Sequence, residues 1–585
     1  MTTLRLLGFS GEVPRLMPRL LQDGYAQAAF NTRLDDGGLT PIRQPRHVTY
    51  LATGAYPDKI GTIYKHGDEW LAWAGLVNVV PGPVAQDRLY IFGDGNPKLR
   101  VDDTVYDLAI EPPDDALTAT LGSETPTSDL LSTRIYVYTL VSDMDEETEP
   151  SPASNSVDWY PGQTVTLSGF VATSPNRTIT KQRIYRSATG TSGGTSLYLI
   201  AERDASTDDF VDTVAPEDFQ ESLPSATWNA PPDGLTGGIT LPNGMIAAFQ
   251  GKDLYFCEPW RPHAWPEGYV LTCDYDIVGL GAYGNTVVVM TKGNPYIVTG
   301  TMPEAMVMEK LELNLPCINA AGIQDLGYTV VYPTHEGLVT VSDGSVQVTT
   351  TLLISRDDWQ GMSPETMVSG QFDSRYFASY SYTDAQGNEQ KGTLIFDFTG
   401  EQPYIIRGDE TPTAYFYDTI SGKLYYVQDR DIFEYDAPGQ VNSMQYWKSK
   451  EFVLPTPTNF GAILLEVDPD VTEEELQALA DQQQAAIDAN EALMDSPSLG
   501  GELNGAALGA FPIDGDMLAR VPGLNRSVSV QIYADGKLVA SVSRYNRMAR
   551  LPSGFKARRW EISASSDMPI QQITLATTGA ELMGV

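Results

Sequence analysis

Between residues 240 and 440 the chain repeats one arrangement: a short apolar run, a turn containing glycine, and a second short run rich in tyrosine. The pairs fall at 245–249 with 253–256, 286–290 with 296–298, 328–332 with 338–341, 376–380 with 393–396, and 423–427 with 432–435. Each run is too short for a helix and too rich in β-branched and aromatic residues to be anything but a strand. Strand after strand with no helix between them demands antiparallel pairing. Irregular repeats of about 40 residues, each supplying a small sheet, predict the blades of a β-propeller. Runs at 69–73, 89–92 and 99–101 supply earlier blades, the last two divided by the strong turn Gly93-Asp94-Gly95-Asn96-Pro97.

One repeat contains a decoy. Gly279-Leu280-Gly281-Ala282-Tyr283-Gly284 spells the dinucleotide-binding GxGxxG, a pattern that needs a helix opening at its last glycine to hold a pyrophosphate. Asn285-Thr286-Val287-Val288-Val289-Met290 follows instead, a poor helix start and a good strand. The glycines are expected to be turns between strands, and nucleotide binding is set aside.

The texture changes along the chain. Residues 1–47 carry Pro14, Pro18, Pro41 and Pro45 around a polar middle and read as an extended arm. First blades are expected at 48–115, and at 116–225 longer, evenly spaced runs (135–141, 165–167, 179–185, 198–201) suit an inserted immunoglobulin- or fibronectin-like β-sandwich. The remaining blades then occupy 226–450. In 451–585 strands at 462–466, 527–533 and 560–563 flank one convincing helix, 472–494, opened by the capping box Thr472 and Glu475. Glycine-rich 496–508 reads as a tip and a candidate gate. The expected fold is therefore all-β: a β-propeller with an inserted β-sandwich and a C-terminal β domain carrying one helix.

At 585 residues the chain has ample length for several cores, so it needs no disulfide or metal staple. Cys257, Cys273 and Cys317 are widely spaced, which argues for buried thiols in a reducing compartment. No apolar run approaches a membrane span or a secretory signal, so folding in the cytoplasm is expected. The net charge of −38, from 76 acids against 38 bases, repels phosphate and anionic lipid unless the bases cluster. They do cluster. Residues 101–150 hold 13 acids and only Arg134, whereas 544–560 hold Arg544, Arg547, Arg550, Lys556, Arg558 and Arg559 with no acid.

Catalytic and metal chemistry finds little footing. His47, His66, His263 and His335 are far apart, and neither a GxSxG elbow nor an HExxH pair occurs. Cys257, His263 and Cys273 lack the paired short spacing of a structural zinc site, so no metal or other cofactor is expected. Among 76 acids a carboxylate pair could still form a glycosidase site. The stiff segment Glu258 to Pro266, EPWRPHAWP, is harder to dismiss, because Arg261 can stack on Trp260 or Trp265 as interface anchors do. It reads equally as a loop that locks a blade internally or as a subunit contact through Trp260, Arg261, His263 and Trp265.

Three segments carry a family resemblance. MPRLLQDGYAQAAFNTRLDDGGLTPIRQP (Met17 to Pro45) resembles the N-terminal signature of phage tail proteins that precedes a propeller. LYFCEPWRPHAWP is similar to an internal segment of the same proteins, and RRWEISASSDMPIQQITLATTGAEL (Arg558 to Leu582) looks like their C-terminal strand pair. The family is the tail nozzle, or tail tubular protein B, of short-tailed bacteriophages, related in architecture to their tail hub proteins. The resemblance implies a structural virion protein rather than an enzyme, made in the host cytoplasm. Its expected place is a homo-hexameric ring below the portal and the tail adaptor protein, touching tail fibres or spikes and conducting double-stranded genomic DNA through its lumen. Acidic walls would let phosphates slide without sticking. Asp143, Asp145, Glu146, Glu147 and Glu149 are then expected to face the lumen, and the arginines and lysine of 544–559 to face neighbouring subunits. A tail-associated glycosidase or a receptor-binding propeller protein is the alternative.

Overall fold

Successive side chains of the strand Ile246–Gln250 bury against different neighbours, the mark of a sheet covered on both faces. Ile246 and Ala248 pack with Tyr90, Phe92 and Leu99, while Ala247 and Phe249 pack with Ile277, Val287 and Val289. The computed structural model describes residues 3–85, 87–189, 195–342, 345–383, 387–400, 402–468, 473–494 and 526–582. It divides into two units, Pro57–Gln347 and Met1–Tyr56 with Val348–Val585.

In the unit Pro57–Gln347, four-stranded sheets follow chain order as propeller blades do. One comprises Asn78–Pro81, Arg88–Phe92, Lys98–Val101 and Thr104–Asp107; the next Thr236–Thr240, Ile246–Gln250, Asp253–Phe256 and Leu271–Thr272. Ile277–Tyr283, Thr286–Thr291, Tyr296–Thr299 and Val307–Lys310 form a third, and strands from Gln324 to Val348 a fourth. The fingerprint glycines belong to this packing. Gly279 and Gly281 lie inside the strand Ile277–Tyr283, not in turns. A Cβ on Gly281 would sit 2.6 Å from Val330 Cγ1, and one on Gly279 would sit 2.4 Å from Ile323 Cδ1, so both are glycine to admit the next sheet. Gly284 alone is the expected turn, at φ +54°.

Strands from Thr118 to Asp212 form the inserted sandwich around Tyr136, Tyr138, Leu140, Val165 and Leu167. Its longest sheet joins Tyr136–Ser142, Ile179–Thr189 and Thr195–Asp204. Asp212 is fully buried there against two arginines, Arg186 Nη1 at 2.7 Å and Arg134 Nη1 at 3.2 Å, and accepts from Tyr136 Oη at 2.7 Å.

The other unit corrects the reading of 1–47 as an extended arm. Thr3–Leu6 pairs with Ile570–Ala576, Ala26–Phe30 with Gln445–Ser449, and Arg46–Tyr50 with Asp431–Glu434. Leu4, Leu6, Phe9, Ala26, Ala29 and Leu39 are core residues, spread thinly enough among polar neighbours to hide the pattern in sequence. Buried Glu12 fixes the segment further, accepting from the Ala29 amide at 2.8 Å and from Arg407 Nε at 2.9 Å. The described strands of 451–585 likewise do not form a separate body. Val528–Ala534 and Ala557–Ser566 run in one sheet with Ala26–Phe30, Gln445–Ser449 and the strands Val368–Phe372 to Tyr404–Gly408.

A further blade-like sheet here joins Ala414–Asp418, Lys423–Gln428 and Asp431–Glu434, with Arg46–Tyr50 from the far end of the sequence as its fourth strand. The expected helix is Glu473–Met494, while Thr472 of its capping box and the 496–508 tip lie outside the described residues. A six-residue helix, Arg356–Gly361, was not legible: it is too short for a periodic signal and is held by the Ser355 cap and buried Trp359. The fold is all-β, with propeller-type sheets, an inserted sandwich and a C-terminal β region carrying the long helix.

Candidate functional site

EPWRPHAWP closes on itself. The Glu258 amide donates to Ala264 O at 2.8 Å, the Arg261 amide to Glu258 O at 2.9 Å, and Trp265 Nε1 to Pro262 O at 2.8 Å. Three prolines restrict the backbone enough to hold so tight a loop. Trp260 sits at φ +61° and lies against Gly244, where a Cβ would come within 2.6 Å of the indole. The residue is 56% exposed, whereas Trp265 is buried edge-on to Phe92, with ring centroids 6.1 Å apart.

The other two candidates turn to partners that the sequence did not announce. Exposed Arg261 stacks over Trp228 at 4.9 Å, not over Trp260 or Trp265. His263 is buried, its Nε2 donating to Glu147 O at 3.2 Å and its Nδ1 lying 3.9 Å from Glu146 Oε1. Burial holds the imidazole down to about 4, opposed by the Glu146 charge and reinforced by Arg261. His263 and Trp265 are therefore internal locks of their own unit rather than subunit contacts. Trp260 and Arg261 remain on the surface.

The acidic loop is corrected in the same way. Only Asp143 and Asp145 are exposed; Glu146 and Glu147 are buried and Glu149 is half-buried. Glu146 accepts from Arg177 Nε at 2.8 Å; Glu147 accepts from Arg183 Nη1 at 2.7 Å, Tyr185 Oη at 2.7 Å and Thr139 Oγ1 at 2.8 Å. Glu149 accepts from Asn229 Nδ2 at 2.7 Å, and burial raises its carboxyl above the ordinary range. A buried carboxylate is tolerable only with such partners. Together these residues make a polar knot that ties the sandwich to the sheet following it. Arg177, Arg183, Tyr185 and Trp228 were missed because their partners stand far away in sequence; the prolines around Trp228 were the only local signal.

The basic cluster is presented at the surface. Arg544, Arg547, Arg550, Lys556, Arg558 and Arg559 are all exposed. Asn546, left-handed at φ 52°, pins the loop between them by exchanging two 2.9 Å hydrogen bonds with the Val467 main chain. Arg559 alone has ion-pair partners among the described residues, Glu451 at 3.6 Å and Asp535 at 3.7 Å. Exposed Val453 pairs with Arg559 across the sheet, placing an apolar contact beside the charges.

Cys257, Cys273 and Cys317 are buried free thiols. Burial raises them to about 12, 11 and 12 respectively, which makes all three poor nucleophiles. Among the described residues no group of three or more His, Cys, Asp or Glu side chains is placed to hold a metal ion, and no helix is long and apolar enough to cross a membrane.

No protein-family model matches the chain, and no curated protein matches it. Among solved structures, the N-terminal domain of Nup159 aligns at 7% identity and a TM-score of 0.22, covering 43% of this chain and 85% of that one. The extracellular domain of the hybrid two-component system BT4673 from B. thetaiotaomicron aligns at 9% identity and a TM-score of 0.27, covering 73% of this chain and 43% of that one. Likenesses this distant carry no argument about the chain.

Proposed function

We propose that this chain is a ring-forming structural subunit of a short-tailed phage tail, of the nozzle or hub class, through which double-stranded DNA passes without specific binding. The observation that carries the reading is the exposed basic cluster of 544–559 on a chain of net charge −38. Fixed cations in one place and acids elsewhere give each copy a surface complementary to another. A second support is that the resembling segments Met17 to Pro45 and Arg558 to Leu582 are structurally continuous, since Ala26–Phe30 and Ala557–Ser566 both pair with Gln445–Ser449. The surface residues that fit subunit contact are Trp260, Arg261 and the six bases. Of the acids once assigned to the lumen, only Asp143 and Asp145 keep an exposed position that suits it.

The test is native mass measurement with negative-stain imaging of the purified chain, alone and with the tail adaptor of the same virion. Six-fold rings that form at low salt and weaken at high salt support the reading. A monomer under every condition, adaptor present, that cleaves polysaccharide would replace it with the glycosidase alternative.

A further inference from the structure

The unit Met1–Tyr56 with Val348–Val585 contains a cavity of about 280 Å³ whose walls divide by chemistry. Its apolar side is an aromatic cluster: Phe372 and Phe377 meet Tyr435 edge-on at 5.8 and 5.2 Å, and Tyr417 meets Phe372 at 6.5 Å. Its polar side is two arginines already paired with carboxylates. Arg33 Nη1 binds Asp436 at 3.1 Å, and Arg375 binds Asp397 through Nε at 2.8 Å and Asp35 through Nη2.

Asp35 and Asp373 stand at the polar rim, with side chains 47% and 61% exposed. The turn carrying Asp373 is strained. Asp373 and Ser374 occupy consecutive left-handed positions, φ 51° and 58°, where a two-residue hairpin turn ordinarily uses Asn-Gly. Such strain persists where surroundings over-determine it, typically at ligand clamps. Here the turn is held by Arg375, which reaches three separate carboxylates.

These features select a ligand class. A strongly charged ligand would have to displace an existing ion pair, because each arginine is already neutralised. A neutral ligand need not. The rim carboxylates keep spare lone pairs for hydroxyl donors, and the partly exposed side chain of Arg33 lines the same side. The aromatic wall suits an apolar C–H face. The volume lies at the bottom of the range for ligand pockets, roughly 300–1,000 Å³. A single pyranose ring combines hydroxyl donors, ring and hydroxyl acceptors and an apolar face at this size.

We propose that this cavity binds one neutral monosaccharide unit, held by Asp35, Asp373 and Arg33 on its hydroxyl edge and by Tyr417 and the phenylalanines on its face. The inference does not depend on the phage reading. Saturation-transfer NMR on the intact chain tests it, with glucose, galactose, mannose and N-acetylglucosamine as probes and tetramethylammonium and sialic acid as charged controls. At least one neutral sugar should bind saturably, with Kd about 1 mM. Tyr417→Ala should weaken it tenfold or more, and so should Asp373→Asn, which keeps a residue suited to the left-handed turn. Absence of sugar binding overturns the proposal, as does binding only of the charged controls or sugar binding indifferent to both substitutions in variants whose thermal unfolding matches the parent.

Discussion

His263 Nε2 donates to the main-chain oxygen of Glu147 across 3.2 Å, joining the EPWRPHAWP loop to the inserted sandwich through a buried imidazole. The charged groups facing it are Glu146, Arg261 and Arg177; burial, reinforced by the two arginines, outweighs the Glu146 charge, so the imidazole is neutral in the fold down to about pH 4. The unfolded chain takes up that proton near pH 6.5. Between those values the unfolded state binds more protons, so the contribution is present in full above pH 6.5 and is lost as pH falls to about 4. The loss should be roughly 3 kcal/mol. His263→Gln can keep the donated hydrogen bond while removing the titration. Urea midpoints of parent and variant, compared from pH 7 to pH 4, should converge as the parent falls faster; parallel curves would refute the assignment.

The two tryptophans of the loop should separate stability from surface function. Trp265 is buried with its indole hydrogen-bonded, and Trp265→Ala should destabilise by about 3–5 kcal/mol, the range for aromatic truncation in a core. Trp260 is 56% exposed, and Trp260→Ala should change stability by less than about 1 kcal/mol. Denaturant unfolding distinguishes them, and an assembly defect confined to Trp260→Ala would mark that indole as the subunit contact.

Where strands were legible, the reason was local. Both faces of a blade sheet are covered, so the central four residues of strands such as Thr286–Thr291 and Lys423–Gln428 are all apolar or aromatic and buried, a pattern visible over a few residues. The N-terminal strands were not legible because Thr3–Leu6 and Ala26–Phe30 find their partners at Ile570–Ala576 and Gln445–Ser449, which no local pattern encodes. The acidic loop failed for a related reason. A run of carboxylates reads as solvated until distant Arg177 and Arg183 are known to meet it. EPWRPHAWP was recognisable as unusual, but whether each side chain pointed in or out was decided by Trp228, Phe92 and Gly244.

The fingerprint glycines make a sharp contrast. Gly281→Ala places a methyl 2.6 Å from Val330 Cγ1 and 2.9 Å from its Cγ2, between two packed sheets. Overpacking of this kind typically costs about 1–3 kcal/mol. Gly284, in open space at φ +54°, should accept Asn nearly neutrally. Thermal unfolding of the two variants should show a depressed midpoint for Gly281→Ala alone, with no shift of the parent on adding NAD or ATP.

Asp212 offers the largest effect inside the sandwich. Its side chain is fully buried and holds the guanidinium groups of Arg134 and Arg186, which are themselves almost completely buried. Removing the carboxylate strands two cations without solvent or counter-charge, so Asp212→Ala should destabilise by about 3–5 kcal/mol. Hydrogen exchange should report the loss first in Tyr136–Ser142 and Ile179–Thr189, the strands that carry or flank the arginines. Unchanged protection there would show that the cluster is not what holds the sandwich together.

The basic cluster should govern assembly rather than folding. Arg544 and Arg547 flank Asn546, whose paired hydrogen bonds to Val467 hold the loop independently of the arginine side chains. Arg544→Glu with Arg547→Glu should therefore leave thermal unfolding of the monomer within a few tenths of a kcal/mol, as exposed substitutions usually do. If the cluster meets an acidic face of a second copy, the same double variant converts attraction to repulsion and should abolish rings at low salt. The parent's rings should weaken as salt rises, because a surface attraction is screened within about 8 Å at physiological ionic strength. Rings formed equally well by the double variant, at all salt concentrations, would move the subunit contact elsewhere and leave Trp260 as the first place to look.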